Sequence, residues 1–397
     1  MTAKAVASAG GRALCGLLLA VFGAGCGDEG VVLDPSSVET ADLGVFAIDA
    51  EGVTEDVEVV MPEDAVSLTL VATQAASREI LFGITAPDGT TLTRGVNRCT
   101  SVDSPLRVLT RPSTAVAMMP GTEVAPAVGS YRVRLRTALA YAECAGPPLP
   151  GPGPVALRAL WKKVPMAGGK QGPLRGQRLA VNVFLVGNVK RNPLLDGGLA
   201  HMRGLFARAG LEVAPPTIIE LRDYEAARYA RIHLDSESLD MRMLLRRSAE
   251  APEDGVNIFV VDEITAGAGF TIFGVAAGIP GTSERGSERS GVLASNVILD
   301  SRMFDERFVG RVLAHEIGHF LGLYHTTEAS GAHDQIADTP ACPGYGYQAP
   351  TRKNCLAADG NNLMFWEGDT FGDKEIAASG SLTPGQSFVM LRSAATH

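Results

Sequence analysis

Two periodicities divide this chain. From about residue 46 to 160, apolar positions recur with a period of two in short runs. Val57-Glu58-Val59-Val60-Met61 alternates in part, and Val66-Ser67-Leu68-Thr69-Leu70-Val71 and Ile80–Thr85 continue the pattern. Tyr131-Arg132-Val133-Arg134-Leu135-Arg136 alternates strictly, which places its arginines on one face of a strand. Pro87-Asp88-Gly89 supplies a turn, because proline fixes φ and glycine accepts a positive φ. Short strands between turns predict a small all-β sandwich over 46–160. Pro and Gly at the density of residues 147–154 exclude helix and regular strand, and 167–176 is again Gly-rich. Residues 161–177 therefore read as a linker.

Beyond residue 178 strand and helix signals alternate. Leu179–Val186, Ile218–Leu221 and Val256–Val261 read as strands, and Gly197–Ala209 and Leu239–Ala249 as helices. The Gly-rich stretch Gly267–Gly291 reads as a loop, leading into Val292–Leu299 as the expected edge strand. Asp305–Leu323 has apolar residues at Phe308, Val309, Val312, Leu313, Ile317, Phe320 and Leu321, a helical spacing with Asp305 placed as N-cap. The order predicts an α/β (α+β) domain with a mixed sheet over 178–397, preceded by the β-sandwich.

Composition adds an N-terminal story. Lys4 and Arg12 precede an apolar run from Ala13 to Phe22, which is short for a membrane span and reads as a signal peptide over 1–25. Its end, Ala24-Gly25-Cys26, resembles the lipobox of bacterial lipoproteins, although Gly23 stands where Leu is usual. That likeness implies a lipid on Cys26 as the sole membrane attachment. From Asp28 to Asp64 there are twelve acidic residues and no Lys or Arg, so 26–45 is expected to be a solvated tether. The net charge of −9 argues against nucleic acid as a partner. Export favours disulfides among Cys99, Cys144, Cys342 and Cys355, with proximity favouring Cys99–Cys144 and Cys342–Cys355.

The chemistry sits on the helix. His315 and His319 are four residues apart, so both imidazoles face one way and can share a metal. Glu316 projects beside them, within reach of a metal-held water. Gly322 can adopt a left-handed conformation and turn the chain so that His325 returns as third ligand. Three His ligands leave a fourth zinc position open, as catalytic sites require. The run His315-Glu316-Ile317-Gly318-His319-Phe320-Leu321-Gly322-Leu323-Tyr324-His325 is the extended zinc motif of the metzincins.

Further residues narrow the resemblance. Asp338-Thr339-Pro340 after the third His resembles the pappalysin (cytophagalysin-like, M43) branch. Met364, after Asn361-Asn362-Leu363, lies where that family's Met-turn forms a floor beneath the zinc, and Leu382–Gln386 resembles the start of its last helix. The likeness implies one catalytic Zn²⁺, with Ca²⁺ near Asp334 and Asp338 as a further expectation. Several metzincins carry a Tyr two residues after the Met. Here Trp366 stands there, whose indole N–H can donate but cannot ionise.

These readings converge on an exported zinc endopeptidase, cell-envelope anchored or secreted, that acts on protein or peptide substrates with Glu316 as general base. The competing expectation is an inactive surface-binding lipoprotein with a protease-like domain. The intact Glu316 separates them, because metal-dependent folding alone has no need of it.

Overall fold

The computed structural model describes residues 36–397 except 76–77, 95–105, 110–112, 139–152, 175, 235–238, 268–269, 343–348 and 368–379. The expected signal peptide, the expected lipid site at Cys26 and the expected Cys99–Cys144 pair lie outside the described residues. No helix among the described residues is long and apolar enough to cross a membrane.

Among the described residues, nine strands form the N-terminal part. They are β1 (Ser37–Phe46), β2 (Val57–Met61), β3 (Ala65–Thr73), β4 (Glu79–Thr85), β5 (Thr91–Arg94), β6 (Arg107–Leu109), β7 (Thr114–Met119), β8 (Gly129–Ala138) and β9 (Val155–Lys163). They pair antiparallel in two sheets, ordered β1-β9-β3-β7-β6 and β2-β8-β4-β5. In β8, Tyr131, Val133 and Leu135 are buried while Arg132 and Arg134 face outward, as strict alternation dictates. Those apolar residues join Met61, Leu68, Leu70, Phe82 and Trp161 in one core.

The structure corrects two boundaries here. Residues 37–45, expected as tether, form most of β1, which pairs with β9 along its length. Their acidity is met by cations on β9: Glu39 pairs with Lys163 at 2.7 Å and Asp42 with Arg158 at 2.6 Å. Charge counted along the chain missed this cross-strand compensation. The expected linker is also partly ordered. β9 runs to Lys163, and a hairpin of β10 (Met166–Ala167) and β11 (Lys170–Gln171) follows.

The C-terminal part is built on a mixed sheet. A short parallel pair, β12 (Gln177–Leu179) and β14 (Leu211–Val213), flanks its start, with β13 (Val181–Val186) between them in sequence. The remaining strands are β15 (Thr217–Leu221), β16 (Arg231–Leu234), β17 (Val256–Val261), β18 (Glu263–Ala266), β19 (Phe270–Thr271), β20 (Gly274–Ala276) and β21 (Val292–Ser295). The main sheet is ordered β15-β13-β17-β21-β20, parallel except for β20. Helices α1 (Pro193–Arg208) and α4 (Glu306–Phe320) pack on the face bearing Val183, Leu185 and Ile258. Helices α2 (Tyr224–Arg228) and α3 (Leu239–Leu245) cover the face bearing Phe184, Val186 and Phe259. Burial on both faces explains why β13 and β17 are apolar throughout except for Asn182 and Asn257, which are buried and hydrogen-bonded to each other at 3.1 Å. A last helix, α5 (Pro384–Met390), starts with a capping box between Thr383 and Gln386.

Three further expectations change. Val292–Leu299 is no edge strand: β21 ends at Ser295, runs parallel to β17, and is covered by β20 before a 3₁₀ turn at Asn296–Leu299. The edge on this side is β20, drawn from the stretch read as loop, because its one glycine, Gly274, serves close approach to Glu316 on α4 rather than freedom. Helix α3 stops at Leu245 and tightens into a 3₁₀ turn over Arg246–Glu250, short of the expected Ala249 α-helical end.

Candidate metal centre

Helix α4 begins where the sequence places it. The Asp305 side chain accepts from the Phe308 N–H at 2.9 Å, relieving one of the unpaired donors of the first turn. Its end is equally defined. Gly322 has φ +101°, and the Leu323 N–H donates back to the Gly318 carbonyl at 2.9 Å. That six-to-one bond is the Schellman arrangement, and it reverses the chain within a few residues.

The reversal brings three imidazoles together. His325 Nε2 lies 3.2 Å from His315 Nε2 and 3.0 Å from His319 Nε2. Nitrogens about 2.0–2.1 Å from a tetrahedral zinc stand about 3.3–3.4 Å apart, so the spacing suits that ion. Each ring is also held from behind. His315 Nδ1–H donates to the Leu363 carbonyl at 2.8 Å, and His319 Nδ1–H to the Leu323 carbonyl at 2.7 Å. His325 Nδ1–H donates to Glu328 Oε2 at 2.9 Å. With Nδ1 protonated in every ring, each Nε2 keeps its lone pair for a metal. Burial and the neighbouring imidazoles push the His319 pKa down to about 3, and the same causes hold His315 well below its ordinary value. His315 and His319 are thus held neutral, as metal ligation requires.

Glu316 is buried beside them, at 8% exposure. Burial pushes its pKa up to about 8, opposed by a hydrogen bond from the Ala276 backbone on the edge strand β20. The fit there is close, since a Cβ on Gly274 would stand 2.7 Å from Glu316 Cγ. A cleft of about 180 Å³ opens over Glu316 and His315, walled by Phe273, Phe308, Val312 and Trp366. A buried carboxylate next to a three-imidazole site can hold or move a proton there.

Met364 is fully buried, and its Sδ would lie 2.5 Å from a Cβ at Gly318, on the helix between the first two histidines. Its loop is tied on both sides. Asn362 Oδ1 accepts from the Met364 N–H at 2.8 Å, and the Thr326 N–H donates to the Met364 carbonyl at 2.9 Å. Trp366 Nε1–H donates to the Pro350 carbonyl at 2.7 Å, so its one donor is already committed.

The remaining expectations fall away from the three histidines. Asp338 accepts from the Gly385 N–H at 2.8 Å, at the start of α5. Asp334 is buried, accepts from Thr339 Oγ1, and has its pKa pushed up to about 6 by burial. Among the described residues neither belongs to a cluster of three His, Cys, Asp or Glu ligands, so the donor geometry lends calcium no support. Cys342 and Cys355 form a disulfide with Cα atoms 5.4 Å apart, as proximity favoured. Asp359 lies against that bond, but oxidised sulfurs leave no metal site there.

Sequence reasoning passed over Glu328, Gly274 and Ala276. Glu328 stands three residues after His325, and an acid at that offset was a readable signal for a histidine partner. Gly274 and Ala276 were hidden, because their role depends on a sheet edge folding against α4.

Residues 245–372 match the model of peptidase family M43, described as pregnancy-associated plasma protein-A. An extracellular metalloprotease of Colletotrichum graminicola is 32% identical over 109 residues, covering 27% of this chain and 37% of that protein. Extracellular metalloprotease 1 of Coccidioides posadasii is 28% identical over 129 residues, covering 28% of this chain and 44% of that protein. The chain thus spans less than half the length of these relatives. Among solved structures, archaemetzincin from Methanopyrus kandleri aligns at 17% identity and TM-score 0.31, over 53% of this chain and 93% of that one.

Proposed function

We propose, from the premise that this chain carries a metzincin-type zinc metalloprotease region of the M43 peptidase family, that the whole chain is an exported zinc-dependent endopeptidase. The observation that carries the reading is the triple pinning of the imidazoles: three converging Nε2 atoms, each ring fixed through Nδ1. When bound, zinc supplies Lewis acidity, polarising the scissile carbonyl and lowering the pKa of a water towards about 7. His315, His319 and His325 hold the ion. Glu316 takes the proton of the attacking water and delivers it to the leaving amine. Met364 forms the floor beneath the ligands.

The substrate is a peptide in extended form. In the main sheet β20 is paired with β21 alone among the described strands, and Gly274 on it packs against Glu316. A peptide added there as a strand would pass its carbonyls across the site. Export is supported by the extracellular naming of the relatives. We place a lipid anchor at Cys26, which mass spectrometry of the mature N-terminus tests: an unmodified terminus downstream of Cys26 removes it.

The test is Glu316→Gln. The variant retains one zinc per chain and loses cleavage of a denatured protein mixture by about 10² or more. Full activity in it overturns the assignment of the base. A wild-type chain that holds zinc yet cleaves nothing favours the inactive relative.

A further inference from the structure

The β-sandwich reaches the metal centre through one buried cation. Strand β6 is the edge of its sheet, and Arg107 on it is fully buried. Arg107 Nε–H donates to the Gly322 carbonyl at 3.0 Å, and its guanidinium carbon sits 4.4 Å from the Tyr324 ring centroid. The next residue, Val108, meets the Tyr324 hydroxyl through its backbone. On β7, Met118 Cε would lie 2.8 Å from a Cβ at Gly322. Two sandwich strands therefore grip the turn that joins the second histidine to the third.

We propose that Arg107 is a positioning residue for this turn, and that the sandwich is thereby a working part of the catalytic unit rather than a detachable module. The inference rests on the zinc peptidase reading above. Two features distinguish it from packing. First, the residues gripped are those that orient the ligands: Leu323 lies between Gly322 and Tyr324 and accepts from His319 Nδ1–H, and Tyr324 directly precedes His325. Displacing the turn would loosen two ligands together. Second, an arginine is an expensive residue to bury for bulk alone. Its two terminal nitrogens have no hydrogen-bond partner among the described residues. Its charge is met by the Tyr324 face and by the carboxylates of Asp334 and Glu123. An apolar side chain of similar volume would fill the space without that desolvation, so what the arginine adds is its directed hold on a carbonyl and a ring. Glu123, in the loop after β7, accepts from the Ala337 N–H at 2.9 Å and ties down the far side of the same region.

The experiment uses the full chain with Arg107→Met, Arg107→Lys, Tyr324→Leu and Tyr324→Phe. Zinc affinity is read by competition with a chromophoric chelator, and each protein is melted with and without zinc. Arg107→Met and Tyr324→Leu are expected to weaken zinc binding about ten- to a hundredfold, the usual effect of losing an outer-shell partner. Their zinc-dependent rise in Tm shrinks, while Tyr324→Phe keeps the ring beside Arg107, gives up only the hydroxyl's contact with the Val108 backbone, and falls less than Tyr324→Leu. Arg107→Lys recovers part of the loss. If Arg107→Met does not fold, Tyr324→Leu tests the same grip from the other side. Wild-type zinc affinity in both variants, or a fall in Tm that is equal with and without zinc, overturns the proposal. A wild-type chain that binds no zinc overturns the peptidase reading instead.

Discussion

Gly274→Ala is a one-methyl perturbation aimed at the proton-transfer group without touching a ligand. The added Cβ would stand 2.7 Å from Glu316 Cγ, 2.9 Å from Oε1 and 3.0 Å from Cδ. Carbon atoms in ordinary contact are about 3.5–4.0 Å apart, so the carboxylate must retreat by about 1 Å. A displacement of that size at a reacting group costs on the order of a hundredfold in rate. Folding should not suffer, because Gly274 lies outside the left-handed region and alanine in a strand is favoured over glycine by about 0.5–1 kcal/mol. The three histidines keep their Nδ1 partners, so zinc stays. The assay is kcat and KM on a quenched peptide, beside zinc content by mass spectrometry. The expected result is kcat down about a hundredfold with zinc near one per chain. Gly204→Ala is the control: it is exposed on α1 with nothing within 4 Å of the new Cβ, and should gain about 1 kcal/mol with activity unchanged. Full kcat in Gly274→Ala would refute the placement of Glu316 as the base.

Three more outcomes are expected. Gly318→Ala sets a methyl 2.5 Å from Met364 Sδ, and overpacking of about 1–3 kcal/mol should exceed the roughly 1 kcal/mol helix gain, read as a lower Tm and weaker zinc retention. Glu328→Ala frees His325 Nδ1 and should lower zinc affinity about ten- to a hundredfold in a chelator titration. Lys162 is buried with its pKa pushed down to about 6 by desolvation and then by Arg392, while its Nζ donates to the carbonyls of Leu391 and Thr396 at 2.7 Å. Folding holds this amine neutral above about pH 6, so unfolding takes up a proton between about pH 6 and the ordinary lysine value of 10.5. Stability should therefore rise with pH through that window, and Lys162→Met should flatten the rise in a series of melts.

What was legible in the sequence depended on how local its cause was. Asp305 as cap, the apolar stripe of α4, Gly322 as the reversal and Pro384 just inside the start of α5 are set within a few residues, and each stands as expected. The Cys342–Cys355 bond closes a short loop and was equally readable. The misreadings came from partners distant in sequence. The acids of β1 looked like a tether because Arg158 and Lys163, which neutralise them, lie more than a hundred residues away. The edge strand was placed on Val292–Leu299 because those residues are apolar, yet apolar residues belong inside the sheet, and β20, with Gly274 packed against Glu316, takes the edge. Arg107 gave no signal at all, since its meaning lies in a carbonyl over two hundred residues further on.

The central claim is that three histidines and one glutamate form a working zinc peptidase centre. Purified full-length chain should contain one zinc and cleave a denatured protein mixture. A chelator should abolish that cleavage, and added zinc should restore it. Cleavage indifferent to the chelator, or a chain that takes up no zinc, would contradict the account.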